Sequence, residues 1–160
     1  SPADYLNYNI KPLFDEVRTN WKTLRIEFKV TKNDLLRSEN FYLFGLSSDT
    51  STGEWSSEFS GVWMTWQSLQ LNYNGNISPT MIVLANRTNL SSLSESITTL
   101  VFELSKELPN NTMKLVYDWN NYYFDENKKF DQVSKIHIGW PNRGAFQWNG
   151  RIQSIKIYLK

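Results

Sequence analysis

Leu24-Arg25-Ile26-Glu27-Phe28-Lys29-Val30 is the stretch of this 160-residue chain that most directly indicates its fold. Apolar side chains occupy every second position, and charged side chains fill the positions between them. Alternation with a period of two predicts a β-strand that has one buried and one solvated face. Similar short apolar or alternating runs predict further strands over residues 41–46, 62–71, 81–84, 99–104, 113–119, 136–140 and 155–159.

Segments rich in Asn, Gly, Pro and Ser separate these strands, and such residues favour turns. Helical periodicity is confined to short stretches near residues 13–17 and 90–96. Eight or more strands with regular turns predict an all-β fold, either a sandwich or a barrel. A chain of 160 residues without an internal repeat or linker is expected to form one domain over residues 1–160.

The charge balance and the amino-acid composition exclude several functional classes. Lys plus Arg number 17 and Asp plus Glu number 16, a net charge of +1, which argues against nucleic acid or an anionic membrane surface as the main partner. No apolar run approaches the roughly 18 residues of a membrane span, so we expect no membrane insertion. The absence of Cys excludes thiol catalysis, disulfides and thiolate metal sites.

Signals for catalysis are sparse. His137 is the single histidine, and no nucleophile-elbow motif accompanies it, so a Ser-His-Asp triad or a zinc site is not expected. We therefore interpret His137 as a packing or surface residue. Glycosidases need two carboxylates that flank the sugar. The adjacent pairs Asp15-Glu16 and Asp125-Glu126 would point to opposite faces of a strand, so the sequence predicts a protein that is not an enzyme.

No cofactor is expected, because no Gly-rich phosphate loop is present. Several carboxylates near turns leave a structural calcium ion open, although none of them belongs to a dense acidic loop. These carboxylates are Asp34, Asp49, Asp118, Asp125 and Asp131.

Aromatic residues make up 15% of the chain and include seven Trp, more than a core of this size usually holds. Sugars offer flat C–H faces to aromatic rings, and their hydroxyl groups match Asn, Asp and Arg side chains. The loops of this chain combine those residue types, which indicates carbohydrate binding. The candidate binding residues are Trp55, Asp118, Trp119, Tyr122, Tyr123, Trp140, Asn142 and Arg143.

Topology gives a reason to expect that these residues converge. If strands 113–119 and 136–140 run in the same direction, their following loops reach the same end of the sandwich. In an antiparallel sheet this needs a strand between them, and residues 122–130 would supply it. The alternative is that Trp140 and Trp148 pack beneath the loops as a small additional core.

The end of the chain resembles a known family. Ile136-His137-Ile138-Gly139-Trp140 is followed by a short loop, then Trp148-Asn149-Gly150-Arg151 and a final strand that contains Tyr158. This pattern is similar to the closing signature of concanavalin A-like, laminin-G-like sandwiches. The resemblance implies a jelly roll of two antiparallel sheets, in which strands 24–30 and 41–46 form the opening hairpin. A lesser resemblance, to the galectin-like rotavirus spike head, rests on Asp4-Tyr5, Asn20-Trp21 and Phe41-Tyr42-Leu43-Phe44-Gly45.

The resemblance implies a non-catalytic carbohydrate-binding module. Such modules occur beside bacterial glycosidases and in bacteriophage tail and baseplate proteins. The Asn-, Lys- and Ile-rich composition favours a phage, so the expected partner is a host cell-surface or cell-wall saccharide and the expected location is the virion or an extracellular space. The domain would belong to a larger multimeric protein. The alternatives are a protein–protein adaptor, a glycan-binding spike head of an animal virus, or a module appended to a glycoside hydrolase.

Overall fold

A computed structural model describes residues 6–36, 41–48, 60–65, 67–73, 80–93, 95–107, 112–124, 132–138 and 152–160. In these ranges the strands are β1 (Leu6–Asn9), β2 (Leu24–Thr31), β3 (Phe41–Ser47), β4 (Ser60–Met64), β5 (Ser68–Tyr73), β6 (Thr80–Asn86), β7 (Ile97–Glu107), β8 (Thr112–Tyr117), β9 (Asn120–Phe124), β10 (Lys135–Ile138) and β11 (Ile152–Leu159). The helices are α1 (Lys11–Asn20), α2 (Lys32–Leu35) and α3 (Arg87–Ser91).

The strands form two antiparallel sheets, which confirms the predicted all-β sandwich. Among the described strands, one sheet has six in the order β1-β10-β3-β4-β5-β6, and the other has five in the order β11-β2-β7-β8-β9. The inner faces of the two sheets enclose one apolar core. No helix in the described ranges is long and apolar enough to cross a membrane.

Aromatic side chains join the two sheets at the centre of the core. The Phe28 ring of β2 stacks on the Phe44 ring of β3, with centroids 5.7 Å apart. Phe102 of β7 meets the Phe44 ring edge-on at 5.3 Å. All three side chains are buried, so burial of the alternating apolar face of β2 and of its neighbours stabilises the sandwich.

Two predictions about neighbouring strands are wrong. Residues 62–71 form two strands, β4 and β5, because the chain turns sharply after Met64. The Thr65 hydroxyl accepts hydrogen bonds from the backbone N–H groups of Gln67 (3.2 Å) and Ser68 (3.0 Å), and this local turn competes with a continuous strand.

The expected opening hairpin of strands 24–30 and 41–46 is also wrong, because β2 and β3 belong to different sheets. Helix α2 begins directly after β2, where the Thr31 hydroxyl caps it by accepting a hydrogen bond from the Asp34 N–H at 3.1 Å. The strand therefore ends in a helical turn, and the hydrogen-bonding neighbours of β2 are β7 and β11.

The observed helices agree only in part with those predicted from the helical periodicity of the sequence. The prediction near residues 13–17 falls inside α1, which buries Phe14 and Val17 against the core. Helix α3 begins earlier than the predicted 90–96, because the Asn86 side chain caps it by accepting a hydrogen bond from the Asn89 N–H at 2.8 Å. Strand β1 lies outside the predicted strands: Leu6-Asn7-Tyr8-Asn9 alternates between apolar and polar side chains, but the run is only four residues long.

The expected returning strand does not lie between the strands that precede the two predicted binding loops. Within the part of the chain that the structure describes, β9 pairs with β8 alone, at the edge of the five-stranded sheet, whereas β10 lies in the other sheet. The reason is the two-residue turn after Tyr117, which brings the chain directly back along β8.

β8 and β10 nevertheless end on the same side of the molecule. β8 is parallel to β2, since both are antiparallel to β7, and β10 is parallel to β6 because strands alternate in the six-stranded sheet. The segments that follow β2 and β6 lie side by side, because the Arg87 guanidinium at the start of α3 donates a hydrogen bond to the carbonyl of Leu36, which follows α2. The two strands are displaced sideways, since β10 lies beyond β3 and β8 lies beyond β7.

Candidate functional site

The tip of the β8–β9 hairpin carries two of the predicted binding residues. Tyr117 pairs with Asn120, so Asp118 and Trp119 form a two-residue turn. Both have positive φ, 49° and 65°, as a type I′ turn requires. Asp tolerates this conformation, whereas a bulky residue such as Trp adopts it rarely. The turn holds the Trp119 side chain away from the body of the sandwich.

Trp119 is the most exposed large hydrophobic side chain of the described residues, with 97% of its surface accessible to solvent. The turn beneath it is fixed, because the Asn120 side-chain amide donates a hydrogen bond to the Asp118 carbonyl at 3.1 Å. An exposed indole contributes nothing to the core, and its open faces can stack against an apolar ligand surface.

Beside this tip the five-stranded sheet has a step, because β8 covers only part of the length of β7. β7 pairs with β2 over residues 97–104 but with β8 only from Glu103 onward. Residues 97–102 therefore have a ladder partner on one side alone among the described strands. An unpaired strand edge presents backbone N–H and C=O groups, so this edge can donate hydrogen bonds to a ligand and accept them.

A cavity of about 550 Å³ occupies the step and reaches toward β6 and α3. We call it the hairpin cleft. Leucine and alanine side chains from β6, β7 and α3 supply an apolar part of its lining, and the Trp119 indole lies at its rim. Its other hydrogen-bonding side chains are those of Arg25, Asn89, Thr98, Thr99, Glu103, Tyr117, Asp118 and Asn120.

Charged side chains on the outer surface of the sheet pair with one another at one wall of the cleft. Arg25 and Glu103 are cross-strand partners, with Nη1 and Oε2 3.6 Å apart. The Arg25 Nε and Nη2 atoms each lie 3.1 Å from Glu27 Oε1. The hydrogen bond to Glu27 raises the pKa of Arg25. The Lys160 Nζ atom lies 2.9 Å from Glu103 Oε2, so two cations and two carboxylates form a compact ion-pair network.

Two tyrosines near the hairpin remain hydrogen-bond donors at neutral pH. Burial, followed by the nearby Asp118 charge, raises the pKa of Tyr117 to about 12. The same two causes raise the pKa of Tyr122. The Tyr117 ring is stacked on Phe102 with centroids 5.1 Å apart, which anchors the base of the hairpin to the core.

The structure brings together only part of the predicted binding set. Asp118 and Trp119 both line the cleft. Tyr122 and Tyr123 do not line it: Tyr122 is partly buried and its hydroxyl lies 3.4 Å from the Leu84 carbonyl, whereas Tyr123 is exposed on the opposite face of β9. Adjacent strand residues point to opposite faces, which explains why these two rings cannot act together. The remaining candidates lie outside the described residues: Trp55, Trp140, Asn142 and Arg143.

Most residues of the cleft carry no functional signal in the sequence. Arg25 belongs to the charged face of the predicted strand 24–30, but nothing in the sequence indicates that it pairs with Glu103. Asn89 and the threonines of β7 gave no signal, because their proximity depends on how three distant segments pair. Asn120 lies between the predicted strand 113–119 and the expected returning strand 122–130, and in the structure it begins β9.

His137 is a packing residue, one of the two roles expected for it. It is buried, and its Nε2 atom lies 2.6 Å from the Ser47 hydroxyl oxygen. Burial, followed by the nearby charge of Lys135, lowers the pKa of His137 to about 4. The described residues contain no group of three or more His, Cys, Asp or Glu side chains suited to hold a metal ion.

Comparison with known protein families gives no match for the sequence, and neither does comparison with curated proteins. Solved structures do match. The CBM40 module of the Ruminococcus gnavus IT-sialidase, bound to α2,6-sialyllactose, has a TM-score of 0.54 and 15% sequence identity. That match covers 95% of this chain and 85% of the module.

Two further matches have similar coverage. A toad ovary galectin in complex with thio-digalactose has a TM-score of 0.50 and 8% identity, over 99% of this chain and 100% of the galectin. A family 7 alginate lyase A1-II′ with bound product has a TM-score of 0.52 and 8% identity, over 99% of this chain and 72% of the lyase. At such identities the likeness shows the fold alone: a jelly-roll sandwich of the kind that carbohydrate-binding proteins use.

Proposed function

We propose that this domain binds a saccharide without cleaving it, and that the hairpin cleft is the binding site. The observation that carries the proposal is the Trp119 indole, 97% exposed, on the rim of a cavity lined by amides, hydroxyls and carboxylates. An aromatic face beside paired donors and acceptors matches the C–H faces and hydroxyl groups of a sugar. The structural neighbours support saccharide binding in general terms, since two of those named above hold bound saccharides.

A non-catalytic role is supported by the ion pairs and the positions of the carboxylates in the cleft. Cleavage of a glycosidic bond uses two carboxyl groups, one of which must deliver a proton. Glu103 is already held in ion pairs, with Arg25 Nη1 3.6 Å and Lys160 Nζ 2.9 Å from its Oε2 atom. Asp118 is the other carboxylate that lines the described part of the cleft, and its side chain is exposed at the rim. Incubation with labelled oligosaccharides is expected to release no product, and release would overturn this part of the proposal.

The expected affinity for one site is weak, of order 10–1000 µM, because sugar hydroxyls exchange bonds to water for bonds to protein with a small net gain. Function would depend on many copies that act together. Attachment of a virus, such as a phage tail to a host cell wall, fits that requirement. A module appended to a glycoside hydrolase fits it as well, and one neighbour is a module of a sialidase.

The test is a glycan array probed with the domain in multivalent form. Trp119→Ala is expected to reduce binding roughly tenfold, because ring stacking contributes about 1–2 kcal/mol. Trp21→Ala is the matched control: that indole is 49% exposed, but it lies outside the cleft at the end of α1, with Lys106 Nζ 4.8 Å from its ring centroid. Equal losses in both variants, or no binding to any glycan, would refute the proposed site.

The open edge of β7 favours one other function, an adaptor that binds an extended peptide. Residues 97–102 could pair with an added strand in the manner of β-augmentation. Amide hydrogen exchange separates the two functions. A peptide strand protects the backbone of residues 97–102, whereas a sugar at the rim changes the fluorescence of Trp119 and leaves most of that edge exchanging.

A further inference from the structure

We infer that the hairpin cleft selects uncharged saccharides and discriminates against sialic acids and uronic acids. The inference rests on the proposed function and narrows it to one ligand class. It follows from the charges that surround the cleft. Sugars with a carboxylate are usually held by a cation that is free to pair with them, most effectively by a bidentate Arg.

Arg25 is the one cation among the residues that line the described part of the cleft, and it already has carboxylate partners. Its Nε and Nη2 atoms lie 3.1 Å from Glu27 Oε1, and its Nη1 lies 3.6 Å from Glu103 Oε2. A ligand carboxylate could approach this guanidinium only by displacing one of them. The displaced carboxylate would then lie beside the incoming one, which is unfavourable.

Lys160 does not restore a positive charge to the cleft. Its Nζ atom lies 2.9 Å from Glu103 Oε2. Arg25 and Lys160 are thus balanced by Glu27 and Glu103, and the network as a whole is neutral.

Asp118 adds a negative charge at the rim, next to Trp119. A sugar ring stacked on the indole would bring any carboxylate of its own close to this side chain, where like charges repel. The Asp118 oxygens can instead accept hydrogen bonds from the hydroxyls of a neutral sugar. The rim therefore favours a hydroxyl-rich ring without a negative charge.

This ligand class differs from that of two structural neighbours, since alginate, the substrate class of the lyase, is a polymer of uronic acids. The sialidase module holds sialyllactose, an anionic sugar. At 15% identity the ligand of the sialidase module does not indicate the ligand of this chain. The ion-pair network around Arg25 argues against an anionic ligand here.

The experiment compares matched pairs of glycans that differ only by a terminal sialic acid, on one array, with the multivalent unchanged domain. Every neutral parent that is bound is expected to give at least about tenfold more signal than its sialylated form. A stronger signal from the sialylated forms would overturn this inference and leave the proposed function standing. Binding to neither member of any pair would overturn the proposed function itself.

Glu103→Gln tests the ion-pair explanation. The substitution leaves Arg25 and Lys160 with Glu27 as their remaining carboxylate in the network, and it should raise the sialylated signal about fivefold relative to the neutral parent. Glu107→Gln is the matched control, since Glu107 lies on the same strand and pairs with Lys114 at 2.7 Å, outside the cleft. A folded Glu103→Gln protein without that gain would overturn the explanation.

Salt dependence gives a second measurement that needs no variant. Binding of a neutral glycan is expected to change less than twofold between 50 and 500 mM NaCl, because no net charge is neutralised on binding. For a sialylated glycan, tighter binding at 50 mM than at 500 mM NaCl would indicate that the cleft attracts anions and would overturn the inference.

Discussion

Asp118 and Trp119 are consecutive residues that both hold positive φ, 49° and 65°, at the tip of the β8–β9 hairpin. The turn matches the right-handed twist of the two strands, but a Trp residue is energetically unfavourable at its second position. Left-handed backbone costs a residue with a Cβ atom roughly 1–2 kcal/mol, and the exposed ring recovers none of this through burial. Strain of this kind concentrates at functional sites.

This strain predicts that Trp119→Gly is more stable than Trp119→Ala by about 1 kcal/mol, since Gly adopts positive φ without a Cβ clash while Ala retains one. Both variants remove the exposed ring, so the difference between them isolates the backbone cost. Urea denaturation of the two proteins measures it. Equal midpoints would mean that the turn relaxes and that Trp119 is not strained.

Both variants are expected to bind saccharide roughly tenfold more weakly than the unchanged domain, because both lack the stacking ring. A protein that becomes more stable while it loses its ligand would indicate that the indole is kept for recognition and not for folding. If Trp119→Gly still binds glycans as well as the unchanged domain, the hairpin cleft is not the site.

The two tyrosines of β9 provide a test of the sequence-based site against the structural one. Tyr122→Phe and Tyr123→Ala are expected to leave glycan binding within about twofold, because neither side chain lines the cleft. Tyr122→Phe should cost less than about 1 kcal/mol of stability, since it removes one long hydrogen bond of 3.4 Å to Leu84. A large loss of binding in either variant would show that the site extends along β9.

Burial of His137 is expected to lower the free energy of unfolding at acidic pH. Its pKa is lowered to about 4 in the folded state, whereas in the unfolded chain it is about 6.5. Between these values the unfolded chain binds a proton that the folded protein does not. The free energy of unfolding therefore falls as the pH drops from about 6.5 to about 4, by about 2–3 kcal/mol from this residue.

His137→Gln is the control, because Gln can still form a hydrogen bond with the Ser47 hydroxyl but does not titrate. Urea denaturation at pH 7.5 and pH 4.5 should show a smaller loss of stability in the variant than in the unchanged protein. Losses of the same size would contradict the assigned pKa. Carboxylates such as Asp15, whose pKa is lowered chiefly by a hydrogen bond from Lys11, titrate alike in both proteins and cancel.

The sandwich could be predicted from the sequence because its signal is local. Alternation over residues 24–30 requires only that one face of the strand be buried, and β2 buries that face. Which strands pair could not be predicted in the same way. The short helical turn after Thr31 decides that β2 and β3 enter different sheets, and a two-residue turn decides that β9 lies beside β8.

The same distinction between local signals and strand pairing applies to the candidate site. The excess of Trp indicated that some rings are exposed, and Trp119 is such a ring. The wall formed by Arg25 and Glu103 depends on a register between strands almost eighty positions apart, for which one sequence carries no signal. Aromatic and amide composition therefore led to the proposed ligand class, but not to the shape or the charge of the cleft.

The last prediction concerns Trp140, which lies outside the described residues and remains a candidate from the sequence. β8 and β10 end on the same side of the molecule, but they are displaced sideways by strands about 4.8 Å apart within sheets about 10 Å apart. A site that included both Trp119 and Trp140 would thus be a groove across the end of the sandwich, long enough for several sugar rings.

Trp140→Ala is therefore expected to weaken binding of longer oligosaccharides roughly tenfold and to leave a disaccharide unaffected, whereas Trp119→Ala weakens both. Titration calorimetry with an oligosaccharide series of increasing length measures the difference, and thermal unfolding monitors the fold. If Trp140→Ala lowers the melting temperature steeply and leaves every affinity unchanged, that ring belongs to the core. The binding site would then be confined to the hairpin cleft.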